Sequence, residues 1–219
     1  MNINKINITA HAGCMGTDMD TIDSLNTGIR YGADILEIDL NLDNSGELVL
    51  CHDKPRIEKN YEEFNNVLEI METNKEVILN IDIKDVAAID KLNKVICGCN
   101  LKERIYYTGI NYFQILDNIE LLAGQNYFVN LEPPKLKLSE INNREYLSEL
   151  AEELLEQGVM GINIYYKLAT EELIEVCREK GLLSSVWTVE EEKDMKILIN
   201  RKVNSITTKN VDVLKRLII

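Results

Sequence analysis

The chain has 219 residues, 45% of them hydrophobic, which is enough to bury the core of one domain spanning residues 1–219. A formal net charge of −13 at pH 7 argues against electrostatic binding to nucleic acid or to anionic membrane surfaces. Five cysteines favour free thiols, and neither a secretion signal nor an apolar run long enough to span a bilayer is evident. We therefore expect a cytoplasmic domain without a transmembrane segment; the oligomeric state is left open.

Short β-branched runs alternate with helical patterns along the whole chain, which is typical of a parallel sheet with crossover helices. The runs predict eight strands, at residues 6–10, 35–42, 77–84, 104–108, 127–131, 161–165, 184–189 and 205–208. Apolar residues at helical spacing predict helices at residues 20–31, 61–73, 87–97, 112–123, 144–156, 171–180, 190–200 and 211–217.

Eight such βα units predict an α/β fold of the TIM-barrel type, a closed parallel sheet of eight strands with outer helices. A doubly wound open sheet is the alternative. The glycine-rich phosphate fingerprint expected after its first strand is absent, since the sequence there reads HAGCMG. Active sites of TIM barrels lie at the C-terminal ends of the strands, so functional residues are expected there.

Charged residues interrupt the second and third predicted strands. Glu37 and Asp39 lie two apart on one strand, and Asp82 and Lys84 lie two apart on the next. Residues two apart share a face, and buried like charges are costly without a neutralising cation. The three carboxylates form an all-oxygen ligand set suited to Mg²⁺ or Ca²⁺. Taken singly, Asp39 could cap a turn and Lys84 could reach solvent.

Both histidines of the chain fall beside these carboxylates. His11 ends the first predicted strand, and His52 follows the second after the turn DNSGE. A single histidine near a strand end is more often structural than catalytic. A pair beside a metal-held anion is what acid–base cleavage of a phosphoester requires, one ring removing a proton and the other protonating the leaving oxygen. Which histidine is acid and which is base is left open.

At these positions the sequence resembles the glycerophosphodiester phosphodiesterase family of TIM-barrel enzymes. The matches are His11, Gly13, Thr21, the run GADILEID at 32–39, His52, Asp53 and Lys84. Residues 170–195 and the run VNSITTKNVDVLKRL at 203–217 also resemble the last units of the family barrel. The resemblance covers nearly all of the chain.

The resemblance implies a metal-dependent phosphodiesterase of lipid metabolism that releases an alcohol and glycerol 3-phosphate from a small-molecule phosphodiester. A glycerol hydroxyl would attack the phosphorus, and water would open the resulting cyclic phosphate. The implied roles are acid–base catalysis by His11 and His52, cation binding by Glu37, Asp39 and Asp82, and substrate binding by Lys84 and Trp187. Glu132, after the fifth predicted strand, is a further candidate substrate-binding residue or the start of a Pro-Pro turn.

Several positions depart from the family pattern. Ala12 stands where the family has a phosphate-binding arginine, and Asp20 stands where it has an asparagine. Asp82 replaces a glutamate, which shortens one metal ligand. We expect Asp20 to cap the first helix. Arg56 is either a replacement for the arginine or an exposed loop charge, and we favour the loop charge.

Only 31 residues separate His52 from Lys84, so the insertion that many family members carry there is missing and a more open site is expected. Three functions are compatible with the residues. They are hydrolysis of glycerophosphodiesters, a phospholipase D-like lyase reaction that stops at the cyclic phosphate, and binding of a phosphorylated ligand without turnover. Ala12 and Asp20 favour the last, whereas both histidines and the full carboxylate set favour catalysis.

Overall fold

The computed structural model describes residues 5–57 and 59–218. Within those residues ten strands form one sheet: β1 (Asn7–Ala10), β2 (Ile35–Leu42), β3 (Leu48–Leu50), β4 (Glu62–Glu63), β5 (Ile78–Ile83), β6 (Ile105–Asn111), β7 (Tyr127–Asn130), β8 (Gly161–Tyr165), β9 (Leu183–Trp187) and β10 (Ser205–Thr208).

The sheet closes on itself because β1 pairs in parallel with both β10 and β2. From β2 the parallel pairing continues through β5, β6, β7, β8 and β9 to β10, giving eight barrel strands among the described residues. The predicted TIM barrel is confirmed. β3 and β4 lie outside the barrel and extend β2 as antiparallel strands.

The described helices are α1 (Ile22–Tyr31), α2 (Phe64–Thr73), α3 (Ala88–Cys97), α4 (Tyr112–Asp117), α5 (Ile119–Leu122), α6 (Arg144–Glu156), α7 (Glu171–Lys180), α8 (Glu192–Asn200) and α9 (Val211–Ile218). The predicted helix at 112–123 is divided into α4 and α5 at Asn118, whose amide donates to Gln114 O. The helix predicted from residue 61 starts at Phe64, because Glu62 and Glu63 pair with β3. No described helix has the length and apolar character needed to cross a membrane.

Side chains of alternate strand residues point into the barrel and fill it from one end to the other. At the N-terminal end, Ile35, Tyr106 and Phe128 form a small buried apolar cluster, with the two aromatic ring centroids 4.9 Å apart. Two residues further along each strand, the inward positions are polar: Glu37, Thr108 and Asn130. The barrel is therefore closed at its base by apolar side chains and polar at its C-terminal end.

Gly109 allows β6 to approach β5 closely. It has a φ of 82°, and a Cβ there would lie 2.4 Å from Asp82 Oδ1 and 2.4 Å from Ile83 O. Gly109→Ala is therefore expected to lower the free energy of unfolding by about 2–4 kcal/mol, since a clash adds to an unfavourable left-handed backbone. Urea denaturation would measure the change.

Gly46→Ala is the matched control. Gly46 also has a φ of 82°, but nothing lies within 4 Å of the position that its Cβ would occupy. Only the backbone cost of about 1 kcal/mol is expected. Equal losses in the two variants would contradict the close approach at Gly109.

Candidate active site

A pocket of about 240 Å³ lies at the C-terminal ends of the barrel strands. Its described lining is His11, Glu37, Asp39, His52, Asp82, Lys84, Thr108, Asn130, Asn163, Trp187 and Thr188. Seven of the eight predicted site residues are thus brought together, although they lie on or directly after four different strands and on one loop. The parallel register of β2 and β5 sets Asp39 opposite Asp82, so the carboxylates become neighbours.

Glu132 is the predicted residue that lies outside this lining. Its side chain is exposed, and its backbone oxygen accepts a hydrogen bond from Leu136 N. β7 ends at Asn130, so the chain has left the barrel wall before Glu132. The prediction that Glu132 lines the pocket is therefore wrong, and Asn130 is the β7 residue that does so.

Four residues line the pocket in addition to the predicted site residues, namely Thr108, Asn130, Asn163 and Thr188. Asn130 Oδ1 accepts hydrogen bonds from Gly109 N at 3.1 Å and from Asn163 Nδ2 at 2.9 Å, which joins β6, β7 and β8. A signal for Thr108 and Asn130 was present in the sequence, because each lies two residues beyond an aromatic residue on its strand.

His11 is mostly buried and has a defined tautomer. Its Nδ1 lies 2.5 Å from the oxygen of Ala12, and a carbonyl can only accept, so Nδ1 carries the hydrogen. The Nε2 atom keeps its lone pair and lies 3.9 Å from Glu37 Oε1. Burial lowers the pKa of His11, which keeps the ring neutral at pH 7 and leaves Nε2 as a proton acceptor.

His52 occupies a different environment on the loop between β3 and β4. Its side chain is 58% exposed, and its Nδ1 lies 3.1 Å from Asp53 Oδ1. It lines both the 240 Å³ pocket and an adjoining cavity of about 570 Å³ that also includes Asp20, Arg56 and Tyr61. His52 therefore lies where the two cavities meet.

Lys84 and the carboxylates form one charged cluster. Lys84 Nζ lies 3.0 Å from Asp39 Oδ1 and 2.5 Å from Asp82 Oδ2. Burial, together with the charges of Asp82 and Asp39, raises the pKa of Glu37 well above its ordinary value. Burial also raises the pKa of Asp39. Burial by itself would lower the pKa of Lys84, but the charges of Asp82 and Asp39 outweigh this effect and raise that pKa.

The donor set fits a hard divalent cation in its chemistry. Glu37, Asp39 and Asp82 supply only carboxylate oxygens, and Asp39 Oδ2 is buried with no hydrogen-bond partner. As the described side chains stand, no three His, Cys, Asp or Glu residues are grouped closely enough to hold a metal ion. A cation would therefore have to compete with the Lys84 ammonium for the oxygens of Asp39 and Asp82.

Asp20 does not cap α1 as predicted. Thr21 is the capping residue, accepting from Ser24 N, because Asp20 has a φ of 57° that turns it away from the helix. Asp20 Oδ1 instead accepts a hydrogen bond from Asp39 N at 3.3 Å. Burial and the Asp39 charge raise the pKa of Asp20 to about 6. Asp20 is therefore a fourth carboxylate beside the site.

Comparison with known proteins identifies the family. Residues 56–213, more than half of the chain, match the model of the "Glycerophosphoryl diester phosphodiesterase family". The chain belongs to this family. The predicted resemblance is confirmed, and so is the predicted enzyme class, a phosphoric diester hydrolase. This match begins after His52, so it includes Asp82, Lys84 and Trp187 but not the first half of the site.

Relatives of this phosphodiesterase family extend the likeness over nearly the whole chain. A glycerophosphodiester phosphodiesterase of Caldanaerobacter subterraneus is 24% identical over 258 residues, covering 98% of both chains. A glycerophosphodiester phosphodiesterase from Parabacteroides distasonis superposes with a TM-score of 0.78 at 21% identity, covering 98% of this chain and 97% of that one. An Oleispira antarctica phosphodiesterase in complex with the product sn-glycerol-3-phosphate has a TM-score of 0.75 at 15% identity, covering 97% and 96%.

Asp20→Asn is expected to stabilise the protein at pH 8 and not at pH 4. With its pKa raised to about 6, Asp20 binds a proton more tightly in the folded than in the unfolded chain. That contribution is complete below the unfolded pKa near 3.8 and is lost as the pH rises through about 6. Asparagine is neutral and keeps an oxygen for Asp39 N, so we expect a gain of about 1–2 kcal/mol at pH 8.

The measurement is urea denaturation at both pH values, with a chelator present to remove bound cations. Asp23→Asn is the matched control, since Asp23 lies three residues away in the first turn of α1 and is exposed. No gain is expected there, because a negative charge is favourable at a helix N-terminus. Equal gains in the two variants would contradict the raised pKa of the half-buried Asp20 carboxyl.

Proposed function

We propose that this phosphodiesterase hydrolyses glycerophosphodiesters to an alcohol and glycerol 3-phosphate by acid–base catalysis between His11 and His52, assisted by Mg²⁺ or Ca²⁺. The observation that carries the proposal is the shared pocket, in which both histidines of the chain meet Glu37, Asp39 and Asp82. Buried carboxylates raise the free energy of the folded state unless a cation neutralises them. Histidines with a purely structural role would not need three such carboxylates beside them.

His11 is the proton acceptor in this proposal. Its neutral ring, fixed by the Nδ1 hydrogen bond to Ala12 O, leaves Nε2 free on the pocket side. The hydroxyl next to the phosphate in the glycerol group gives its proton to Nε2 as its oxygen bonds to phosphorus. His52, which lies at the entrance to the 570 Å³ cavity, donates a proton to the departing alcohol oxygen as its bond to phosphorus breaks.

Water then opens the cyclic phosphate with the two roles reversed, which restores both rings. A divalent cation held by Glu37, Asp39 and Asp82 would supply neutralisation of charge on the phosphoryl oxygens. Lys84 holds Asp39 and Asp82 in place and offers a positive charge to the phosphate. Trp187 Nε1 is buried without a hydrogen-bond partner, so it offers a donor to the substrate.

The test uses two esters of glycerol 3-phosphate, one with choline and one with p-nitrophenol, assayed with His11→Ala and His52→Ala. Choline is a poor leaving group that needs a proton, whereas p-nitrophenolate leaves without one. We expect His11→Ala to lose about 10²–10⁴-fold in kcat/KM on both esters. His52→Ala should lose as much on the choline ester but stay within about 10-fold of the parent on the p-nitrophenyl ester.

Circular dichroism and thermal unfolding verify that each variant is folded. A chelator should abolish turnover by the parent protein, and added Mg²⁺ or Ca²⁺ should restore it. Retained turnover of the choline ester in both variants would overturn the proposal. Accumulation of a cyclic phosphate without glycerol 3-phosphate would instead identify a lyase that stops after the first step.

A further inference from the structure

The pocket contains more negative than positive charge before any substrate enters. Within its described lining, Lys84 is the one lysine or arginine, and its ammonium already bonds to Asp39 and Asp82. Ala12, the residue after His11, presents only a buried methyl group. A phosphodiester is itself an anion, so a protein cation on the His11 side would favour its binding in addition to the proposed divalent cation.

Strand β10 brings a lysine to this side. The register of β1 and β10 pairs Thr9 with Thr207 and Ala10 with Thr208, so the next pair beyond the strands is His11 with Lys209. His11 N donates to Thr208 O at 3.1 Å, which continues the parallel pairing by one residue. Met15 N donates to Lys209 O at 2.8 Å, which attaches the Lys209 backbone to the segment that follows His11.

Lys209 also follows the inward-facing row of β10. Ser205 Oγ lies 2.7 Å from Thr9 Oγ1 inside the barrel, and Thr207 Oγ1 donates to Glu37 Oε2 at 3.3 Å. Lys209 lies two residues beyond Thr207, just past the end of β10, and its side chain is outside the described lining of the 240 Å³ pocket. Its charge reaches His11, where it is one of the causes that lower the pKa of the ring.

The Lys209 ammonium is weakly engaged. Its side chain is 42% exposed, and Glu190 Oε1 lies 4.0 Å from Nζ in an exposed pair worth little. Arg56, the alternative considered for a substrate cation, is an exposed loop residue that lines the cavity on the His52 side. The position of Arg56 therefore agrees with the interpretation that it is an exposed loop charge. Lys209 is the cation whose backbone lies beside His11.

We propose that Lys209 is a substrate-binding residue that contacts a non-bridging phosphate oxygen of the phosphodiester beside His11. This inference rests on the proposed function, because it concerns the same pocket. Binding requires the Lys209 side chain to leave Glu190 and turn inward along the β10 row. It gives the substrate phosphate a cation whose charge the aspartates do not already neutralise.

The test compares Lys209→Met and Lys209→Arg with the parent, using the choline ester of glycerol 3-phosphate as substrate and sn-glycerol 3-phosphate as a binding probe in calorimetry. Methionine keeps the length of the side chain without its charge. We expect Lys209→Met to raise KM and the Kd of the probe by about 10-fold while kcat changes less than about 3-fold. Lys209→Arg should restore both constants to within about 3-fold of the parent.

Lys94→Met is the matched control, because Lys94 lies on α3, is 73% exposed and forms an ion pair with Asp90 one turn away. Unchanged KM and Kd in Lys209→Met would overturn the inference while leaving the proposed function intact. A fall in kcat at constant KM would also overturn it, since Lys209 would then act through His11 and not on the substrate. Failure of the parent to turn over any diester would refute the proposed function, and the probe Kd would still decide whether Lys209 binds phosphate.

Discussion

The ammonium group of Lys84 links two strands by ion pairs at the C-terminal end of the barrel. Lys84 Nζ bridges Asp39 on β2 and Asp82 on β5, two carboxylates that the parallel register sets side by side. Without this lysine the two strands would present adjacent buried like charges, which strongly destabilise a folded protein. Glu37 and Asp20 add two more carboxylates that burial and neighbouring charges disfavour. The cluster is an electrostatic cost to folding, and the proposed site for a cation and a phosphate would account for it.

The barrel makes this concentration of charge tolerable by separating it from the apolar base. Ile35, Tyr106 and Phe128 fill the interior below the site, while the residues above them are hydrogen-bonded to one another, as Thr207 is to Glu37. The pairing of β1 with β10 makes neighbours of His11 and Lys209, which are the first residues after these two strands. Function and fold therefore depend on one feature, the alternation of side chains along closed parallel strands.

Much of this was predictable from the sequence, because β-branched runs and misplaced charges both leave local patterns. Glu37, Asp39 and Asp82 were identifiable since they interrupt apolar strands at a spacing of two. Glu132 was misplaced because a sequence pattern does not locate the end of a strand to a single residue. Asp20 was misassigned because no sequence pattern predicts a left-handed backbone at a residue other than glycine. The neighbourhood of His11 and Lys209 depends on closure of the barrel, a long-range contact that local patterns do not contain.

The most direct test of the account is to measure both stability and turnover of Glu37→Gln. Glutamine preserves the shape of Glu37 and an oxygen for Asn80 and Thr207, but it removes the negative charge. If the cluster exists for catalysis, the free energy of unfolding should match or exceed that of the parent in chelator, while hydrolysis of the choline ester of glycerol 3-phosphate falls by at least about 100-fold. A destabilised protein that keeps its turnover would contradict the account and assign the carboxylates to the fold alone.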